Sequence, residues 1–583
     1  MLIISWNVAG LSTTVDKIDT YYGDKTKRRN DPSAVIGDFF QRHNADIVCI
    51  QEAKIPKSSL ESRSEPLRCA HVNGYESFWS CCIDSSKRGF NGVVTYCKKG
   101  TVISADSRPL ESPDLDDQGR CVMTDHGSFV VFNVYVPAGG GQPLSYKMKF
   151  LQSLRQAMQN QRENHKKKVI LVGDLNITHT EKDVFWGSRK LVIGEICREV
   201  QDEFESQQNS KETSVRASIL PKWKQDLANN WPKIEEILKS RKAHMVTTTN
   251  PKTKAKFEKY RMMVEVDGNQ IFLGNHEEKS AYCEHNFDFN ACHYACPETC
   301  EQVLSQEANL VSVTTVAELM LKLVKIKWDQ HLVKSIASTD GISSRAWPPR
   351  RWLNQVIGDD EMVDCFRKFY PNVQGRFTCW DQFKNKRYEN QGARIDFTLI
   401  DTSLSQYLQR GEVGSLRCGE CSGEHAPESE AGAFCAATAN GRFQPVSFAG
   451  GGIVDASQRA LDTQFGIPHT GHIYTPPSFS DHIAISVLLD DTLCSYNLEL
   501  REQDKPTKAS QPHKKVRTIN SYFGAPSSSE NKQQQKGSTT ISSRHRAKNT
   551  KTNASKRKGP IHAFFKPAKI KIDTSMNKNK GSR

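Results

Sequence analysis

No run of about eighteen consecutive apolar residues occurs in the 583-residue chain, so the sequence offers no membrane-spanning helix. A basic leader ahead of an apolar stretch is also missing. Met1-Leu-Ile-Ile-Ser-Trp-Asn7 opens at once as a strand, which argues against a secretory signal. The seventeen cysteines lack the compact spacing of a disulfide framework and fit a reduced, intracellular setting. No internal repeat is present. Outside its last segment the chain also has almost no net charge. Of the overall +14, residues 501–583 hold 21 Lys+Arg against 4 Asp+Glu, leaving 59 against 62, or −3, for residues 1–500. Any affinity of the body for nucleic acid must therefore come from a local patch and bound cations.

What is present is a rhythm of short β-favouring runs that stop in polar residues. The clearest is Val169 to Val172, closed by Gly173 and followed by Asp174 and Asn176. Similar runs are Leu2 to Trp6 before Asn7, Asp46 to Ile50 before Gln51 and Glu52, Gly89 to Cys97, Ser128 to Val136, Ala393 to Ile400 and Ser480 to Leu489. Residues 11–33 read as a polar loop. Helices are predicted over Asp31 to Gln41 and over Tyr146 to Gln161, the second capped by Ser145. Between about 188 and 345 the rhythm is lost and helical patterns appear at Trp231 to Leu238 and Val313 to Lys327. It returns at Arg350 to Asn354 and Arg376 to Trp380. A Gly-, Ala- and Ser-rich piece, about 408–470, precedes the last strand. The expectation is an α/β body over 1–490, with two packed β-sheets flanked by helices and insertions at about 188–345 and 408–470. Residues 491–583 form a disordered basic tail.

Asn7, Glu52, Asp174 with Asn176, Asp396, and Asp481 with His482 end or sit within five of these runs, and Tyr135 lies in another. Carboxylate and amide oxygens are the ligands that Mg²⁺ prefers. A carboxylate or imidazole beside such an ion can position water for attack on a phosphodiester. Each residue alone is commonly a turn former or a satisfied edge group. Their joint occurrence at strand ends across the whole body is the signal.

Ser5-Trp-Asn-Val-Ala-Gly10, Ile50-Gln-Glu52, Asn133-Val-Tyr-Val-Pro137, Gly173-Asp-Leu-Asn176, Arg394-Ile-Asp-Phe397 and Ser480-Asp-His482 resemble, in order, the motifs of the exonuclease III-type AP endonucleases of the endonuclease/exonuclease/phosphatase (DNase I-like) family. Gly119 to His126, Tyr146 to Phe150, Arg351 to Leu353, Met362 to Arg367 and Phe377-Thr-Cys-Trp380 resemble its second, nuclear eukaryotic branch. The resemblance covers about 1–187, 346–405 and 470–490. It implies a four-layered α/β sandwich and a Mg²⁺-dependent DNA nuclease, with Mn²⁺ able to substitute. Such an enzyme would cleave at abasic sites and process 3′ ends in base excision repair. Action on RNA or another phosphoester is the alternative. By the same resemblance Glu52, with Asn7 and Asp481, would hold the metal, joined in the wider ligand set by Asp174, Asn176 and His482. Asp174 would handle protons, Asn176 would stabilise the phosphate, Tyr135 would contact it, and Asp396 would orient His482. Ala9 departs from the pattern, since many relatives carry Asn or Asp there. The Cys/His zinc finger found at the end of many members is also missing.

Two further clusters are candidate structural Zn²⁺ sites, Cys283, His285, Cys292, His293, Cys296 and Cys300, and Cys418, Cys421, His425 and Cys435. Lys252, Lys254, Lys256 and Lys259 read as a solvated face. In the tail, Ile519/Tyr522/Phe523 and Ile561/Phe564/Phe565 each set an aliphatic residue three and four positions before two aromatics, one apolar plug per helical turn. These pieces resemble the sliding-clamp (PCNA) interaction box. His513 to Arg517 and Lys556 to Lys558 suggest nuclear import.

Overall fold

In the computed structural model of the chain, the described residues are 1–22, 32–62, 68–84, 89–138, 144–209, 220–239, 242–249, 256–266, 269–275, 310–339, 348–382, 386–411, 416–417, 424–425 and 468–493. The tail motifs and the side chains of both Cys/His clusters lie outside them, as do those of the four lysines at 252–259.

Two mixed sheets form the body. The core strands in chain order are β1 (Leu2–Asn7), β2 (Ile47–Gln51), β3 (Tyr75–Ser80), β4 (Val93–Lys98), β5 (Ser104–Asp106), β6 (Cys121–Asp125), β7 (Phe129–Tyr135), β8 (Lys168–Asp174), β9 (Met362–Asp364), β10 (Asp396–Asp401), β11 (Leu408–Gln409), β12 (Gly471–Ile473) and β13 (Ala484–Leu489). The first sheet runs β11-β13-β1-β2-β4-β3, with β12 also on β13; the second runs β9-β10-β8-β7-β6-β5. Ile3, Ile47, Cys49 and Val487 of the first sheet interleave with Val122, Val131, Ile170, Val172 and Ile400 of the second, a dry layer between them. Both faces of β8 are consequently buried, and each of its four aliphatic side chains contributes about 1.5–3 kcal/mol by leaving water. The outer faces carry helices: α1 (Leu11–Tyr22) and α2 (Pro32–Arg42) on the first sheet, α3 (Leu144–Glu163) and α8 (Pro348–Gly358) on the second. The expected helix-sheet-sheet-helix sandwich is the one observed.

Several local expectations fail for identifiable reasons. The polar stretch from residue 11 is a helix through Tyr22, because Leu11, Val15 and Ile18 recur on one face and pack into the core. Arg350 to Asn354 belong to a helix, not a strand. Pro348 and Pro349 open it and Trp352, Leu353 and Val356 form its buried face. Ser145 lies inside the first turn of α3, which begins at Leu144, so it does not cap it.

The described residues of the segment 188–345, expected from sequence as an insertion, have their own core. Helices α4 (Ile193–Asn209), α5 (Lys222–Lys239), α6 (Val313–Val324) and α7 (Gln330–Ala337) gather Leu227, Ile234, Val316, Leu319, Met320 and Ile336 around Trp223, Trp231 and Trp328. The segment also holds a three-stranded antiparallel sheet, Lys242–Thr249, Lys256–Val266 and Asn269–Asn275, which the sequence reading missed.

Candidate active site

The strand directions bring the five polar ends to one edge of the sandwich. β1 runs parallel to β2, placing Asn7 beside Gln51, and β7 runs parallel to β8, placing Tyr135 beside Asp174. These strands deliver their polar residues at their C-terminal ends. β10 is antiparallel to β8 with Asp396 directly opposite Asp174, and β13 is antiparallel to β1. Those two strands therefore deliver Asp396, Asp481 and His482 at their beginnings. All eight residues expected at the site are brought to this edge.

Asn7 links its halves. Its Nδ2 donates to Glu52 Oε1 at 3.1 Å and to Asp174 Oδ2 at 2.9 Å. Asp174 also accepts from the Asn176 backbone N at 2.8 Å and from Asn176 Nδ2 at 3.1 Å. His482 Nδ1 lies 2.9 Å from Asp396 Oδ2, and its Nε2 lies 3.9 Å from Asp174 Oδ2. A carboxylate on one ring nitrogen fixes the tautomer and leaves the other for the reacting side. The Tyr135 phenol bonds to Glu52, and Arg120 stands over the Tyr135 ring at 4.8 Å.

Burial sets the electrostatics. The Asp174 carboxyl is pushed up to about 7 by desolvation and by the Asp396 charge. Burial would push His482 down, but Asp396 and Cys379 beside it outweigh this and hold it well above the ordinary histidine value. Burial likewise works against the Glu52 carboxylate, yet Lys54, Asn7 and His482 together lower it. Asp481 is raised, chiefly by burial with Glu52 adding to it.

The backbone is strained where the chain turns into the site. Glu52 (φ 50°), Asn176 (φ 51°) and Ala9 (φ 52°) are left-handed, a cost of about 1–3 kcal/mol each that the surrounding bonds must hold. Asn tolerates this region best, so the alanine at position 9 is held there against its own preference. Ala9 contributes a backbone bond to Asn7 Oδ1 at 3.0 Å instead of a side chain. Gly173, at φ 135°, is required. A methyl there would meet the Val134 carbonyl oxygen at 2.0 Å, and Asp174 could not sit beside Tyr135.

The donor set fits a hard divalent cation. Glu52, Asp481 and Asn7 offer oxygens; Glu52 Oε1 accepts from the Asn7 amide and Oε2 lies 2.7 Å from Lys54 Nζ. Asp396 Oδ1 is buried with no hydrogen-bond partner, an acceptor that an unsatisfied site leaves over. Among the described residues, Asp174, Asp396 and His482 bring one ligand atom each within 4.8 Å of one another, as do Cys379, Asp481 and His482.

Four residues beside the site were not singled out from sequence. Lys147 is buried and donates through Nζ to the Asn176 carbonyl at 2.8 Å, with burial lowering its own pKa to about 7 against the pull of Asp174. Gln51 and Asn133 bond to each other at 2.8 Å under the site, Gln51 reaching Ser5 at 3.0 Å and Asn133 reaching Thr95 at 3.2 Å. Cys379 bonds to His482. Lys147, Asn133 and Cys379 stood inside quoted motifs, so position in a motif was their available signal.

Fold and site together define a two-sheet α/β sandwich with an acidic and imidazole-bearing edge that could hold a metal ion. Residues 4–232 match the model of the Endonuclease/Exonuclease/phosphatase family, the family that the motifs resemble. The chain is similar to the "DNA-(apurinic or apyrimidinic site) endonuclease 2" of Schizosaccharomyces pombe, at 27% identity over 224 residues, 32% of this chain and 40% of that protein. The "DNA-(apurinic or apyrimidinic site) endonuclease" of Dictyostelium discoideum is 30% identical over 187 residues, 32% and 44% respectively. The human "DNA-(apurinic or apyrimidinic site) endonuclease 2" is 28% identical over 218 residues, 31% and 39%. The chain thus spans about two fifths of the length of these curated relatives.

Proposed function

We propose that this protein is a Mg²⁺-dependent DNA repair nuclease that cleaves phosphodiesters at abasic sites and processes 3′ ends. The observation that carries the proposal is the convergence of Asn7, Glu52, Asp174, Asp396, Asp481 and His482 from both sheets on one edge of the sandwich. The names of the similar proteins support the choice of substrate. Glu52, Asn7 and Asp481 would hold the metal, whose chemistry is to neutralise charge on the phosphate and acidify water. Asp174 takes the proton of the attacking water. Its pKa near 7 is suited to a base working at neutral pH and requires the rate to rise as pH passes through that value. Asp396 holds the His482 ring against the scissile phosphate, while Asn176 and Tyr135 bind the non-reacting phosphate oxygens. Mn²⁺ would serve in place of Mg²⁺.

Three labelled duplexes test this, carrying an abasic site, a recessed mismatched 3′ end or a blocked 3′ end. Incision at the abasic site with Mg²⁺ is the expected result. No cleavage of any duplex overturns the reading, and degradation of RNA alone would favour the phosphodiesterase alternative.

The tail adds a second part of the proposal, a nuclear protein tethered to the PCNA sliding clamp. Its support is the spacing of Ile519, Tyr522 and Phe523 and of Ile561, Phe564 and Phe565 in a basic segment. Alanine at Tyr522 and Phe523 together with Phe564 and Phe565 should abolish capture by immobilised clamp. Abasic cleavage by the same variant should be unchanged, because these residues are remote in sequence from the catalytic set.

A further inference from the structure

Cys379 is a soft ligand placed against the hard ones. It lies in the short strand Cys379–Trp380, and a lone β-bridge pairs it with His482. The Trp380 N donates to the Asp481 carbonyl at 3.1 Å and the Ile483 N to the Thr378 carbonyl at 2.9 Å, which locks the register. The thiol is 1% exposed and bonds to the imidazole that the proposed reaction uses. Its sulfur, a His482 nitrogen and an Asp481 oxygen lie within 4.8 Å of one another. A tetrahedral zinc ion with bonds of about 2.0–2.3 Å spaces its ligands about 3.5 Å apart, so a small side-chain adjustment closes this set. Mg²⁺ has no use for the sulfur, whereas Zn²⁺ and Cd²⁺ favour it.

We propose that Cys379, His482 and Asp481 form a site for a thiophilic divalent metal that overlaps the catalytic edge and inhibits it. Binding displaces the thiol proton and one ring proton of the His482 imidazolium to solvent and forms a metal–thiolate and a metal–imidazole bond, with water completing the four ligands. Because the ion takes His482 and Asp481 out of service, Zn²⁺ competes with turnover rather than supporting it. The inhibition rests on the nuclease reading; the binding does not.

The test uses the full chain under reducing conditions, with Cys379→Ser and Cys379→Ala as variants. Co²⁺ is titrated as the metal alone, and its near-ultraviolet thiolate-to-metal charge-transfer band is followed. Other cysteines in the chain contribute the same background to wild type and variants. Expected is one equivalent of band above that background, displaced by Zn²⁺, present in wild type and missing from both variants. In parallel, half-inhibition of Mg²⁺-dependent cleavage, scaled to each protein's own rate, should need about 10–100-fold more Zn²⁺ in the variants. Equal Co²⁺ bands in wild type and variants overturn the site. A lost band with unchanged Zn²⁺ sensitivity overturns the inhibition. If no duplex is cleaved at all, the Co²⁺ difference still decides whether the site exists.

Discussion

Replacing Asp174 with asparagine should lower Mg²⁺-dependent cleavage of an abasic duplex by roughly 10²–10⁴-fold, the range for removing a positioned proton acceptor. The fold should survive, and the reason lies in the sign of the pKa shift. A carboxyl raised to about 7 on folding prefers to be protonated in the native state. It contributes stability below the ordinary aspartate value of about 3.9, and that contribution is lost as pH rises towards 7. At pH 8 the charge is therefore a cost, and a neutral asparagine relieves it while losing the base. Thermal unfolding at pH 8 should show a midpoint held or raised beside the collapse in rate. A large fall in midpoint would instead mean that Asp174 is a structural carboxylate and that the rate loss is secondary.

The second large effect is on stability. Asp183→Asn should destabilise the protein by about 3 kcal/mol, because it leaves the buried Arg394 guanidinium with Asp364 as its remaining carboxylate. Asp183 is fully buried and accepts from Arg394 Nε at 2.7 Å and Nη2 at 3.2 Å, with Arg367 on the same carboxylate. Arg394 also reaches Asp364 at 2.7 Å and lies over the Phe397 ring at 4.3 Å. Arg394 is two residues before Asp396, so this network anchors the start of β10 and, through it, His482. Burial opposes the Asp183 charge, but Arg367 and Arg394 outweigh it and hold the carboxyl well below the usual range. Its contribution is complete above the unfolded value of about 3.9 and is lost as pH falls through the lower folded value. Chemical denaturation at neutral pH measures the loss. A series below pH 4 should show a shallower acid dependence in the variant than in wild type. A loss under 1 kcal/mol would show that the pair is dispensable.

The eight candidate residues that the fold brings to one edge stand out in the sequence because each ends, begins or borders a buried strand, where a polar residue breaks an apolar run. The sequence alone could not show that strands entering from opposite directions share one edge. That follows from Asp396 pairing opposite Asp174 and from β13 running against β1. Helix α1 was hidden because its polar residues outnumber Leu11, Val15 and Ile18, and only their spacing marks the buried face. The short motif of helix α8, Arg350 to Asn354, looks strand-like by itself, and only the prolines ahead of it mark a helix start. Lys147 and Cys379 look ordinary in sequence. They matter only because folding puts one under Asn176 and the other beside His482. The core of the 188–345 segment around three tryptophans was legible only as helical pattern, since its members come from segments about a hundred residues apart.

The central claim is that Glu52, Asn7 and Asp481 hold a divalent cation on which abasic-site cleavage depends. The direct measurement is incision of a labelled abasic duplex by metal-stripped protein as Mg²⁺ is titrated, run beside Glu52→Ala. The account predicts no incision without metal, restoration by Mg²⁺ in wild type, and a variant that either stays inactive or needs far more Mg²⁺. Incision by the stripped protein, or the same Mg²⁺ dependence in Glu52→Ala, would contradict it.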